Sequence, residues 1–229
     1  MSGVRLTSTD LGLTVVLDRP GRRNALTLPM WVDLGRAARG GDQEPLYLVG
    51  AGGYFCSGAD LGTLAWARES PVHADAFVDA VVRCLLSLHA SGREVVAVVE
   101  GGAAGGGVEI MAACHRRVVV GDAELVFPFG HHGMTLDDLT RWRLHQLVGP
   151  ETAERLVDGR HVLGVAEAER LGLVDERHTS WAAFVEAERA GDGSAPTPVE
   201  RYLDPSDDLD AAVARAAAPM RRAFPPHPS

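Results

Sequence analysis

Residues 95–114 read VVAVVEGGAAGGGVEIMAAC, and the fold turns on this stretch. Val95 to Val99 are apolar with no polar alternation, the pattern of a strand buried on both faces. The glycine-rich run Glu100-Gly101-Gly102-Ala103-Ala104-Gly105-Gly106-Gly107 follows, and Val108 to Cys114 then has helical character. An earlier segment has a similar shape: the apolar strand Leu46 to Val49 ends in Gly50-Ala51-Gly52-Gly53, ahead of Ser57-Gly58-Ala59. Strands alternating with helices point to an α/β fold.

Outward from these turns, Val4–Leu6 and Leu13–Leu17 pattern as two strands joined at Asp10-Leu11-Gly12, and Pro20-Gly21 breaks the chain. Thr27 is placed to cap a helix over Leu28–Arg39, with Pro29 in its first turn. Phe77, Val81, Leu85 and Leu88 recur at helical spacing between His73 and Ala90. Val118–Val120 is another buried strand. Helices are then expected over Leu136–Leu147, Glu151–Val157, Val165–Leu171, Trp181–Ala190 and Leu209–Phe224. Residues 191–198 are rich in Gly, Ser and Pro and pattern as a loop. The expected organisation is a core over residues 1–178 and a helical C-terminal region over 179–229.

With 229 residues, 46% hydrophobic and 23% charged, the chain has apolar mass for one large domain. A net charge of -9 and the lack of a basic stripe argue against nucleic acid; Arg22 and Arg23 form the clearest local positive spot. Cys56, Cys84 and Cys114 form no CxxC pair, so buried thiols in a reducing compartment are expected, with no metal and no disulfide framework. No basic start with a long apolar run, and no apolar stretch of the ~18 residues of a membrane helix, is present. Cytoplasm and no membrane partner are the expectation.

The glycine turns invite a phosphate-binding reading, which fails on spacing. No G-x-G-x-x-G or Walker pattern fits them, and Ser57 is not in a G-x-S-x-G elbow. Glycine also lets backbone approach a ligand, and the first amides of a helix point outward unpaired. Two such amides converging on one carbonyl oxygen stabilise the charge of an enolate or tetrahedral state. The plainer alternative is tight helix–strand packing. Glu109, a carboxylate amid apolar residues just after the second turn, favours the catalytic reading, since burying a charge without partners is costly.

The motifs together resemble the crotonase (enoyl-CoA hydratase/isomerase) superfamily, from about Leu13 to Glu176. Leu17-Asp18-Arg19-Pro20 with Arg23-Asn24-Ala25-Leu26 is similar to the family's opening motif. Phe55-Cys56-Ser57-Gly58-Ala59-Asp60-Leu61 and Gly105-Gly106-Gly107-Val108-Glu109-Ile110 match its two oxyanion turns. Leu147-Val148-Gly149, Gly159-Arg160 and Leu171-Gly172-Leu173-Val174 resemble later segments. The resemblance implies an α/β spiral of ββα units with a short helical C-terminal region, assembled as a homotrimer or dimer of trimers. It implies a thioester substrate on coenzyme A or an acyl-carrier protein, with no further cofactor. Ala59 and Gly106 become the oxyanion donors, and Glu109 one of two catalytic glutamates. Arg23, Ala25, Gly58, Ala59, Asp60, Leu61 and Gly105 become the substrate-binding set.

Three departures accompany the resemblance. The motif with the family's second catalytic glutamate here reads Phe127-Pro128-Phe129-Gly130, so Phe129 takes the glutamate's place and is expected to shape an apolar acyl pocket. Glu100 stands where asparagine is usual and His115 where aspartate is usual. The C-terminal helices read as shortened. His131 and His132 follow Phe129 closely; either is an acid/base candidate, against a plain reading as solvated turn residues. Asp137 and Asp138 pattern as the start of the next helix. Hydration needs one group to activate water and another to handle the Cα proton, so a reaction other than hydration stays open: decarboxylation or double-bond migration. An inactive assembly subunit is the alternative of another class.

Overall fold

A computed structural model describes residues 3–39, 44–130, 135–191, 193, 202 and 208–224. β1 (Val4–Thr9) and β2 (Gly12–Leu17) form an antiparallel hairpin, in register from Val4–Leu17 to Thr9–Gly12. β2, β3 (Leu46–Gly50), β4 (Val95–Ala104) and β5 (Arg116–Phe127) run parallel in that order. The far edge of β5 carries two short strands. β6 (His161–Gly164) lies antiparallel to its second half, and β7 (Glu176–His178) parallel to its first.

The helices are α1 (Leu28–Arg39), α2 (Leu61–Ala67), α3 (Pro71–His89), α4 (Gly106–Ala113) and α5 (Asp138–Val148). α6 (Pro150–Asp158), α7 (Val165–Leu171), α8 (Trp181–Ala190) and α9 (Leu209–Ala223) follow. The expected helices are all present within a few residues, and Asp137 does begin α5, its carboxylate accepting from Thr140 N–H. The sequence pattern did not show α2, β6 or β7. β6 and β7 are too short for a period, and α2 depends on a cap: Asp60 Oδ1 accepts from Gly62 N at 3.0 Å and Thr63 N at 3.2 Å.

β4 and β5 run well past their apolar stretches, and this extension is the main difference from expectation. β4 continues through the glycines to Ala104, with a register shift between Val99 and Gly101. Gly101 has φ +68, and a Cβ there would lie 2.2 Å from Gly53 O. Glycine is what lets β4 pass the Gly50–Gly53 turn at that distance. Past the bulge Ala104 pairs with Val126, and Gly105 N donates to Val126 O at 3.1 Å. The two strand ends therefore deliver Gly105-Gly106 and Pro128-Phe129 side by side.

Val95–Val99 is buried throughout, as expected for a strand covered on both faces. Val95, Ala97 and Val99 join the main core, and Val96 and Val98 form a second cluster with Tyr47, Val118, Val120 and Phe184 of α8. α8 is fastened by Glu188, which accepts from Tyr47 Oη at 2.5 Å and from Arg116 at 2.7 Å. α9 packs against α3 and α5, burying Val213, Ala216, Ala217 and Met220. Both described helices of the 179–229 region thus lie on the core. Most of the 191–198 loop falls outside the described residues. None of the described helices is long and apolar enough to cross a membrane.

Candidate active site

The first glycine turn is held from below. Leu26 N donates to Gly58 O at 2.8 Å, and Asp60 N donates to Leu26 O at 2.9 Å. Successive amides of an extended chain point to opposite sides, so the Ala59 N–H faces away from Leu26. Cys56 Sγ accepts from Gly58 N and donates to Asn24 O, each at 3.4 Å. Asn24 is buried at φ +56, a conformation asparagine tolerates better than most residues. Its side chain donates to Ala51 O at 2.9 Å and Tyr54 O at 2.6 Å, and accepts from Arg19 N at 2.9 Å.

The second turn starts α4. Gly105 N-caps it at φ +50, and its carbonyl accepts from Val108 N at 2.8 Å and Glu109 N at 3.1 Å. Gly106 is the first helical residue, so its N–H belongs to the unpaired set at a helix start. A Cβ on Gly58, at φ +93, would sit 2.8 Å from Ala104 O and 3.0 Å from Gly106 N, so the two turns touch. Among the described residues neither the Ala59 nor the Gly106 amide donates to a backbone carbonyl. Both residues line one cavity of about 220 Å³.

Glu109 lines that cavity at 6% exposure, with no hydrogen-bond or ion-pair partner among the described residues. Burial first, and the Asp137 charge second, raise its carboxyl well above the ordinary carboxylate value. Asp137 is itself fully buried; Thr140 N donates to its Oδ1 at 2.9 Å, and among the described residues its Oδ2 has no hydrogen-bond partner. Burial raises the Asp137 carboxyl too, against the Thr140 hydrogen bonds that lower it.

A stability test follows from the sign of the Glu109 shift. The folded protein keeps a proton there that the unfolded chain releases in the usual carboxylate range. This stability is fully present below that range and is lost as pH rises through the raised folded value. Glu109→Gln removes the titration. Between about pH 5 and about pH 8 its unfolding free energy should gain on that of the wild type by about 1.4 kcal/mol per pH unit, about 4 kcal/mol in all, read as a widening difference in melting temperature. Parallel curves for the two proteins would show that Glu109 is not the group that titrates.

A model of the family described as enoyl-CoA hydratase/isomerase matches residues 12–190, more than half of the chain. The chain belongs to the enoyl-CoA hydratase/isomerase family. A Mycobacterium bovis protein named "Probable enoyl-CoA hydratase echA6" is 32% identical over 190 residues, 80% of this chain and 75% of its own length. A peroxisomal Delta(3,5)-Delta(2,4)-dienoyl-CoA isomerase of Arabidopsis thaliana is 27% identical over 176 residues, 71% of this chain and 63% of its own. The crystal structure of a Thermobifida fusca protein titled a putative enoyl-CoA hydratase, in complex with acetoacetyl-CoA, superposes with a TM-score of 0.73. That comparison has 25% identity and covers 83% of this chain and 79% of the other. The crotonase fold is the fold of this family member.

Of the residues singled out in this family member's sequence, Gly58, Ala59, Leu61, Gly105, Gly106, Glu109 and Phe129 line the cavity together. Arg23, Ala25 and Asp60 do not. Arg23 is exposed, its guanidinium 5.3 Å from the Tyr54 ring centroid and its carbonyl accepting from Ser57 N at 2.9 Å. The Ala25 carbonyl accepts from Arg19 at 2.6 Å. The Asp60 carboxylate is occupied by the α2 cap and by Arg19 at 3.1 Å. These three brace the rim of the first turn. His131 and His132 lie outside the described residues.

Trp31, Leu64, Arg68, Phe77, Val81, Thr135 and Met220 also line the cavity. Sequence reading missed them because Phe77 and Val81 carry the same helical spacing as ordinary core residues. Phe129 is 5% exposed and meets Phe127 edge-on, with ring centroids 6.4 Å apart. Glu100 accepts from Trp181 Nε1 at 3.2 Å, which ties α8 to β4. His115 is pushed down to about 4, by burial first and then by Arg143 and Arg117, so it is neutral at physiological pH. Among the described residues an amino group of buried Arg143 is left without a hydrogen-bond partner.

Proposed function

We propose that this protein binds an acyl thioester with its carbonyl oxygen between the Ala59 and Gly106 amides, and that Glu109 moves a proton on the resulting enolate. The observation that carries the reading is the buried Glu109 carboxyl, without a partner among the described residues, in the cavity that Ala59 and Gly106 also line. Two backbone donors at the developing oxyanion lower the cost of enolate formation, each worth up to a few kcal/mol. A carboxyl raised toward neutrality is a stronger base than an ordinary one and still returns its proton.

Phe129 occupies the wall where the resemblance places a second glutamate. It offers no group to activate water, so hydration is slow. Double-bond migration suits the site better. Glu109 takes a proton from one side of the enolate system and returns it to the other carbon, with no net gain or loss. The second carboxyl, Asp137, favours this reading, because its charge tunes the proton affinity of Glu109. Decarboxylation needs the oxyanion donors more than the acid, since loss of carbon dioxide itself leaves the enolate.

Turnover of a panel of thioesters decides among these: 2-enoyl, 3-enoyl and carboxyacyl chains, each on coenzyme A and on a carrier protein. Shift of the 3-enoyl double bond is the expected activity. Loss of the carboxyl from the carboxyacyl member alone would replace isomerisation by decarboxylation. Turnover of no member would leave an inactive assembly subunit.

The same reading assigns a cytoplasmic, closed cyclic homo-oligomer, a trimer or a pair of trimers. The three cysteines are free and buried, which suits a reducing compartment. Sedimentation should give a mass three or six times that of the chain at micromolar concentration; a stable monomer would contradict the assembly.

A further inference from the structure

The wall of the site cavity behind Gly106 is a single indole. A Cβ on Gly106 would lie 2.9 Å from Trp31 Cζ2 and 3.4 Å from Glu109 Oε2, so the ring stands beside the acid and the second amide. Trp31 is 1% exposed, and among the described residues its Nε1 has no hydrogen-bond partner, so packing holds the ring there. A second cavity of about 260 Å³ lies on its other side, between α1 and α3. It is lined by Leu28 and Val32 of α1 and by Ala80 and Cys84 of α3, with Arg39 among its polar residues.

Among the described residues Trp31 is the one that lines both spaces. α3 presents a different face to each: Phe77 and Val81, one turn apart, face the site cavity, whereas Ala80 and Cys84 face the second.

We infer that Trp31 is a specificity-determining residue, the wall that ends the acyl pocket and keeps a bound chain out of the cavity between α1 and α3. The inference rests on the thioester reading above and adds a limit on acyl length. A chain growing from the carbonyl past Glu109 gains contact until its end meets the indole. Each buried methylene tightens binding about fourfold, so affinity should climb with chain length and then stop. With a smaller side chain at residue 31, the added methylenes have apolar surface to enter.

The test is calorimetric binding of S-alkyl coenzyme A thioethers, from butyl to dodecyl, to the full chain. Wild type should show the climb and the stop. Trp31→Leu should carry the climb at least two methylenes further, tightening the first excluded ligands roughly tenfold. Trp31→Phe keeps an aromatic ring and should move the stop less, in the same direction; it decides the matter if circular dichroism shows Trp31→Leu unfolded. Adding Ala80→Leu to either variant fills the second cavity and should return the stop toward the wild-type length, whereas Ala80→Leu alone should leave the wild-type series unchanged. A stop that stays in place in the folded variants overturns the role of Trp31 and leaves the thioester reading standing. Absence of binding by wild type at every length overturns both.

Discussion

Glu109→Gln should lower turnover of the best thioester by about 10²–10⁴-fold, the range of a positioned general acid or base. Binding should change little, because the amide keeps the carboxyl's shape and the Ala59 and Gly106 N–H groups are untouched. The variant should also fold, since a neutral amide at a buried position with no ionic partner removes a desolvation cost. A loss confined to kcat is therefore the signature of proton transfer. The outcome separates the two chemistries. Double-bond migration passes its proton through Glu109 and should show the full loss. Decarboxylation generates the enolate without a base and should retain a large share of its rate. Equal loss in kcat and in binding would mean that Glu109 shapes the cavity and transfers nothing.

Phe129→Glu should raise hydration of a short 2-enoyl thioester by about 10²-fold over the unmodified protein. Phe129 begins where β5 ends, beside Gly105, and lines the same cavity as Glu109. A carboxylate there would supply the second group that water addition requires. The expected gain is set at the lower end of the range because the new side chain enters an apolar wall next to Phe127, where a charge is costly. Its apparent pKa should rise for the same reason, and hydration should increase with pH until that carboxyl is ionised. Brisk hydration by the wild type would show that a different group activates water and that Phe129 is not the disabling residue.

Much of the site was legible in the sequence because its chemistry is local. Gly58-Ala59 and Gly105-Gly106 had to be turn glycines with their neighbours' amides free, and Glu109 stood out as a charge in an apolar helix. The extent of β4 and β5 was not legible. Glycines at 101 and 102 have low strand propensity, and they extend the strand because the Gly53 and Glu124 carbonyls come too close for any Cβ. Asp137 was readable as a helix cap and is one; that it also charges the surroundings of Glu109 depends on how α5 packs on α4.

The sequence by itself determined the α/β class, the family resemblance, the order of the turns and Glu109 as the candidate acid. These follow from residue type and spacing, which short-range sterics and hydrogen bonding translate directly into turns and helix starts. Only the tertiary structure decided which apolar residues are wall and which are core. Trp31 and Met220 are 189 positions apart in the chain, and Phe77 and Val81, which line the cavity, continue the same helical spacing as the core residues Leu85 and Leu88 in α3. Hydrophobic burial is non-directional, so a period marks which face of a helix is covered without saying by what. The cavity exists because α1, α3, α4 and α9 close over the two glycine turns, and that closure is a property of the packed chain.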